Sequence, residues 1–321
     1  MEWYPLLLTP PIKDNIWGGT RLKTEFGYST DHAIAAEAWV LSCHKDGSSV
    51  VSNGACAGLS LPDVLDQWGP AALGEKAARF PYFPLLIKLI DAHDRLSIQV
   101  HPADDYAMRV EGEFGKTEMW YIVDCEPGAE LIYGFSKGLT KEEFRRRIED
   151  NTLTDVCNRV PVKKGDVFFI EAGTLHAIGS GILIAEVQQN SNTTYRVFDY
   201  GRLGADGKPR ALHVDKAVDV TETAPPSRPY GQVGETAAIP GGTCRPLASC
   251  DLFTVQLLEV TGTLSVGCLE SFTSLLCLDG SCTVQASSGE SLTLSKGGSL
   301  FLPAGMTAKI TGQAQLLCSR V

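Results

Sequence analysis

Gln99 and His101 stand two residues apart in "LSIQVHP", and Lys116 and Glu118 stand two apart in "GKTEMW". On an extended strand, residues i and i+2 leave the same face, so each pair projects together. His176 ends "EAGTLH", where the glycine permits a tight turn that delivers the imidazole at a strand start. Two histidines and a carboxylate, with Gln99 as a fourth, oxygen donor, compose a catalytic zinc set with a position open for water or substrate. Nitrogen and oxygen donors without thiolate suit manganese, iron or cobalt as well. The same spacings fit plainer arrangements: a hydrogen-bonded strand histidine, a solvated Lys116–Glu118 pair of little energetic weight, a wet sheet face carrying Gln99. No HExxH or paired-cysteine signature decides between them.

The chain around these residues has 321 residues, 44% of them hydrophobic and 21% charged, enough for one large core or two smaller ones. A formal net charge of −10 argues against nucleic acid or an anionic membrane as the main partner. An anionic small substrate would therefore need a local cluster of Lys and Arg. The ten cysteines include no CxxC pair, which fits free thiols in a reducing compartment. The opening "MEWYPLLLTPPIKDN" has no basic segment ahead of its short apolar run, and no later stretch reaches membrane-spanning length. The expected location is the cytoplasm.

Short apolar runs separated by turn residues predict strands in "AAEAWVLSCHKDGSSVV", "TEMWYIVD", "GDVFFIEAG", "GILIAEVQQ" and "TYRVFDYG". In "LSIQVHP" the alternation sets Leu96, Ile98 and Val100 on one face, expected to be apolar packing, and Ser97, Gln99 and His101 on the other. Helices are expected at "SLPDVLDQWG", "GEKAARF", "ADDYAMRVEG" and "GLTKEEFRRRIED", the last with a capping box of Thr140 and Glu143. Residues 204–246 are rich in Pro, Gly, Thr and Ala, broken by one helical stretch, "ALHVDKAVDV", and read as a surface connection. From residue 250 onward, short strands and turns suggest a sandwich or barrel. The expected division is residues 1–204 as a catalytic domain with inserted helices, 205–246 as connection and 247–321 as a smaller β-barrel without a metal. A repeat relates the halves. "GDVFFIEAGTLHAI" lies over "GGSLFLPAGMTAKI", with Gly165 on Gly297, Gly173 on Gly305 and His176 opposite Ala308.

"PLLIKLIDAHDRLSIQVHPADDYA", "GKTEMWYIVD", "GTLHAIGSGILIAEVQQNSNTTYRVFDYGR" and the early "NIWGG" occur in an order that resembles the type I mannose-6-phosphate isomerases of the short bacterial kind. The resemblance covers most of residues 1–215. It implies a mainly β fold of two cupin-type jelly-roll barrels with a few helices in or on the first. "GDVFFIEAGTLH" resembles the second cupin motif, with Glu171 where cupins usually carry proline. It further implies one Zn2+ per chain held by His101, Glu118, His176 and Gln99, with Arg196 as catalytic arginine and Lys116 as a cation of the site. By the same resemblance Trp17, Lys88 and Ser97 fall at substrate-binding positions. From sequence alone, Arg196 would otherwise pair with Asp199 or Glu186.

The implied reaction interconverts mannose 6-phosphate and fructose 6-phosphate by moving a proton between C2 and C1. It needs charge stabilisation at an enediolate oxygen and a base near carbon. Metal-bound water, His101, Lys116 and a ligand carboxylate are all chemically possible bases, and spacing does not choose among them. Other metal-dependent cupin enzymes and a catalytically silent sugar-phosphate-binding relative are the rival readings.

Overall fold

The computed structural model describes residues 3–204 and 207–321; the expected domain boundary at residues 204–205 touches positions outside the described residues. Two larger antiparallel sheets build the first half, beside a two-stranded one of Cys43–His44 and Gly47–Ser48. One runs in the order Val167–Ile170, Glu118–Cys125, Ile182–Gln189, Leu85–Ala92, Glu37–Leu41, Ile12–Lys13. The other runs Cys157–Pro161, Glu130–Phe135, His176–Ala177, Ile98–Val100, Tyr195–Phe198. Between them lies a core that includes Ile90, Trp120, Phe168 and Ile184 from the first sheet and Leu131, Tyr133 and Val160 from the second.

Alternate residues of the first sheet point the other way. Ile87, Leu89, Met119, Tyr121 and Val187 pack with Phe253, Val255, Phe272 and Phe301 of the second half. A sheet covered on both faces explains why Leu85–Ala92 and Ile182–Gln189 are near-continuous apolar runs, with every residue buried. Helices cover the outer face of the second sheet. Ile98, Val100 and Val197 meet Phe144 and Ile148 of Lys141–Glu149 and Ala217 of Val214–Val220. The Thr140 hydroxyl caps the first of these helices, accepting from the Glu143 backbone N–H at 3.1 Å, while the Glu143 carboxylate accepts from Arg147 Nε at 3.0 Å.

Some local expectations change. Residues 75–79 form a 3-10 turn rather than an α-helix, and the Lys76 N–H bonds to the Glu270 carbonyl, away from any helical ladder. Leu96 precedes the extended strand and turns inward beside Trp17 and Trp120, unlike Ile98 and Val100.

The second half is a larger antiparallel sheet curled around its own apolar interior, including Leu275, Val284, Leu300, Ala308 and Leu316. Its long strands are Thr273–Ala286 and Thr307–Arg320. Two further strands, Ala237–Ile239 and Gly242–Ser249, lie in the stretch expected to be a connection. Pro246 concealed the second of these in the sequence; it sits beyond the Gly242–Cys244 segment that pairs with Ala237–Ile239, next to an irregularity in the ladder with Thr254–Val260. The sheet also takes a strand from the start of the chain: Leu6–Thr9 pairs with Ser299–Leu302 on one side and Val50–Val51 on the other. The repeat has matching backbone geometry, with φ of +88° and +83° at Gly165 and Gly297, and +91° and +80° at Gly173 and Gly305. Among the described residues no helix is long and apolar enough to cross a membrane.

Candidate active site

Register places the site residues in two facing rows. In the helix-covered sheet, His176 stands opposite Gln99, and Gln99 opposite Arg196. Directly paired residues of an antiparallel sheet share a face, so three adjacent strands present imidazole, amide and guanidinium together. In the facing sheet, Trp120, Glu186, Lys88 and Trp39 form one row across four strands. Glu118, two residues before Trp120, projects from the same face. His101 follows the end of Ile98–Val100, and the turn containing Gly173 brings His176 to its strand; the Gly173 N–H bonds to the His101 carbonyl at 2.8 Å.

His101, Glu118 and His176 are fully buried, and their ligand atoms lie within 4.8 Å of one another. His101 Nδ1 bonds to the Thr193 carbonyl at 2.8 Å and His176 Nδ1 to the Thr174 carbonyl at 2.9 Å. A carbonyl only accepts, so each Nδ1 carries the proton and each Nε2 keeps its lone pair. Those lone pairs face Glu118 Oε1, at 3.8 Å from His101 and 3.5 Å from His176. Glu118 Oε1 is buried with no hydrogen-bond partner. An orphaned carboxylate oxygen among two imidazole lone pairs is costly unless a cation completes it. The separations are close to the edges, about 3.3–3.6 Å, of a tetrahedron with bonds of about 2.0–2.2 Å. The donors therefore fit a divalent metal. Gln99 adjoins them, with Nε2 3.4 Å from His176 Nε2 and Oε1 accepting from the Ser97 hydroxyl at 3.4 Å. Rotating the amide about its last bond exchanges the two atoms and offers oxygen to the same centre.

Lys116 is buried in this space rather than exposed. Its ammonium contacts Glu118 Oε2, lies 3.2 Å from His101 Nε2 and 3.6 Å from Glu186 Oε1. Burial lowers His176 to about 4 and drives His101 well below the ordinary imidazole range, with Lys116 adding to both. Both rings are neutral at physiological pH, as a ligand must be. Burial and the charge of Glu186 push the Glu118 carboxyl up to about 8; a divalent cation between the three donors would hold it ionised. Burial acts in the same sense on Glu186, but Lys116 and Lys88 outweigh it and hold that carboxyl below the ordinary range.

Gln99 and Lys116, which touch the buried donors, line a cavity of about 470 Å³ whose walls also include Trp17, Trp39, Trp120 and Ser97. Gly18 and Gly19 let the Trp17 segment approach: a Cβ on Gly18 would meet the Ala36 Cβ at 2.4 Å, and one on Gly19 the Asp91 carboxylate at 2.4 Å. Lys88 also lines the cavity, but its ammonium is 3.4 Å from both Glu37 and Glu186 and 5.1 Å from the centroid of the Trp39 ring. Arg196 pairs with neither acid suggested by its sequence surroundings. Asp199 is held by Arg202 and Arg210, Glu186 lies beside Lys88 and Lys116, and Arg196 Nε is buried without a hydrogen-bond partner. Arg196 and Arg210 share the cavity wall. Glu186, Glu37, Trp120 and Arg210 are site residues that the spacing argument missed. For Glu186 a signal was present: a carboxylate inside an unbroken apolar strand is seldom buried without a partner.

Residues 6–124 match the catalytic domain of phosphomannose isomerase type I, and residues 244–321 match the cupin domain of mannose-6-phosphate isomerase. A mannose-6-phosphate isomerase of Bacillus subtilis (strain 168) is 39% identical over the full length of both chains. One from Streptococcus mutans is 38% identical over 301 residues, 93% of this chain and 92% of its own. The crystal structure of a mannose 6-phosphate isomerase from Bacillus subtilis superposes with a TM-score of 0.91 at 36% identity, covering 99% of this chain and 100% of that one. With the buried donor set beside a polar cavity, these likenesses place the chain in the type I mannose-6-phosphate isomerase family.

Proposed function

We propose that the chain interconverts mannose 6-phosphate and fructose 6-phosphate, with one zinc ion held by His101, Glu118, His176 and Gln99. The observation that carries the metal reading is the buried, unpartnered Glu118 Oε1 facing the two Nε2 lone pairs. When bound, the ion supplies Lewis-acid charge to a sugar oxygen. The chain's own groups do the rest. Arg196, with its uncommitted Nε, holds positive charge toward the oxygen that becomes an enediolate. Lys116 Nζ and Glu186 Oε1, 3.6 Å apart beside the donors, are placed to carry the proton between C2 and C1. Lys116 and Lys88 together hold Glu186 ionised despite its burial. Trp17, Trp39 and Trp120 wall the sugar from bulk water, and Ser97 and Arg210 offer donors to its hydroxyl and phosphate oxygens. The ten cysteines are all unbridged, which supports a cytoplasmic setting.

A coupled assay on mannose 6-phosphate tests the roles. His101→Ala is expected to lose both bound zinc and turnover, whereas Arg196→Ala is expected to keep zinc and lose turnover. Chelation should abolish wild-type activity and zinc restore it; an inactive wild type with stoichiometric zinc would overturn the enzymatic reading.

A further inference from the structure

His101 and His176 obtain their tautomers by different routes. The acceptor for His176 Nδ1 is the carbonyl of Thr174, two residues earlier in the same turn. The acceptor for His101 Nδ1 is the carbonyl of Thr193, 92 residues away on a loop with no strand pairing of its own at that position. A backbone carbonyl on a loop orients a ligand only as well as the loop is held. Gln188 ties the near side, donating through Nε2 to the carbonyls of Gln189 and Ser191 at 2.7 Å each. The far side is tied by Glu113. Its Oε2 accepts from the Thr193 hydroxyl at 3.3 Å, the Asn192 backbone N–H also bonds to its carboxylate, and its Oε1 meets Lys45 Nζ at 2.5 Å. The Glu113 side chain is largely covered, 17% exposed, whereas Lys45 is 70% exposed.

We infer that Glu113 is a positioning residue for the metal ligand His101, fixing Thr193 so that its carbonyl holds the His101 ring with Nε2 toward the ion. The chain of contacts is short, from Glu113 Oε2 to the Thr193 hydroxyl and from the Thr193 carbonyl to His101 Nδ1, and the two links meet in the single residue Thr193. Lys45 serves Glu113 from the surface, where an ion pair weighs little, so the Thr193 link carries the effect. Outer partners of this kind set ligand tautomer and affinity together. The inference rests on the metal site proposed above.

The test measures zinc affinity by competition with a chelator, and the imidazole tautomers of the metal-free chain by nitrogen NMR. Glu113→Ala and Thr193→Val are each expected to weaken zinc by about 10- to 100-fold. Both should mix the His101 tautomers while His176 stays Nδ1-protonated. Thr193→Val keeps the carbonyl and the side-chain volume, so it reports even if Glu113→Ala folds poorly. Glu113→Gln, which retains an acceptor oxygen, should lie closer to the wild type than Glu113→Ala. The double variant should lose no more than either single one, as two links of one chain require. Lys45→Ala should bind zinc within about twofold of the wild type. Wild-type zinc affinity and a single His101 tautomer in both Glu113→Ala and Thr193→Val overturn the inference. A wild type that takes up no zinc instead sinks the metal site, and the tautomer measurement, made without metal, still decides whether Glu113 positions His101.

Discussion

Asp199 shows how a site residue is set free by its neighbours. In the sequence it is the nearest acid to Arg196; in the fold it accepts from Arg202 Nη2 and Arg210 Nη2 at 2.6 Å each. Burial alone would raise its carboxyl, but the hydrogen bonds from Arg210 and Arg202 outweigh that and hold it below the ordinary aspartate range. A carboxyl lower in the folded than in the unfolded state binds fewer protons when folded, so its contribution is present above the unfolded value and lost as pH falls through the folded one. Urea unfolding of the wild type and Asp199→Asn should thus differ at pH 7 and converge below about pH 4. A difference independent of pH would show that the arginines do not depend on this charge. At this scale the sequence was partly legible. Two-residue spacing put Gln99 with His101 and Lys116 with Glu118, but it could not put Glu186 beside Lys88, because that neighbourhood comes from the register of two strands far apart in the chain.

The strand-turn-strand element that delivers His176 occurs twice, and only one copy serves the site. Gly173 and Gly305 both have φ in the left-handed region, the conformation glycine adopts most readily. A Cβ on Gly173 would also meet the Val220 carbonyl at 3.0 Å, whereas one on Gly305 would find only Leu269 Cδ1, at 3.8 Å. Gly173→Ala and Gly305→Ala should each lower the unfolding free energy by about 1–2 kcal/mol. Gly173→Ala alone should also weaken zinc, because its N–H bonds to the His101 carbonyl and its chain runs on to His176. Equal zinc loss in the two variants would deny the first copy its special role. The repeat was visible in the sequence because both copies need glycine at the same turn positions. The strand Gly242–Ser249 was not, since a proline in a Gly- and Thr-rich stretch has the composition of a loop until a partner strand pairs with it.

The second barrel has Ala308 where the first has His176, and the packing shows what it contributes instead. Its Phe253, Val255, Phe272 and Phe301 cover the back of the sheet whose other face carries Glu118, Lys88 and Glu186. The chain binds the halves in further ways: Leu6–Thr9 completes the second half's sheet, Ser299 Oγ donates to the Val40 carbonyl at 2.7 Å, and Tyr28 donates to the Gly297 carbonyl at 2.6 Å. No periodicity in either half announces this, because an inward and an outward apolar face read alike in one sequence. A site sheet buried on both sides leaves neither half a complete core alone, so the chain should melt in one calorimetric transition. Phe301 is fully buried at this seam. Phe301→Ala, at about 3–5 kcal/mol for a large aromatic, should lower that single transition and release zinc with it, although the residue lies in the half without the metal donors. Two resolved transitions, with Phe301→Ala moving only one and zinc following the other, would show instead that the second barrel is an independent domain.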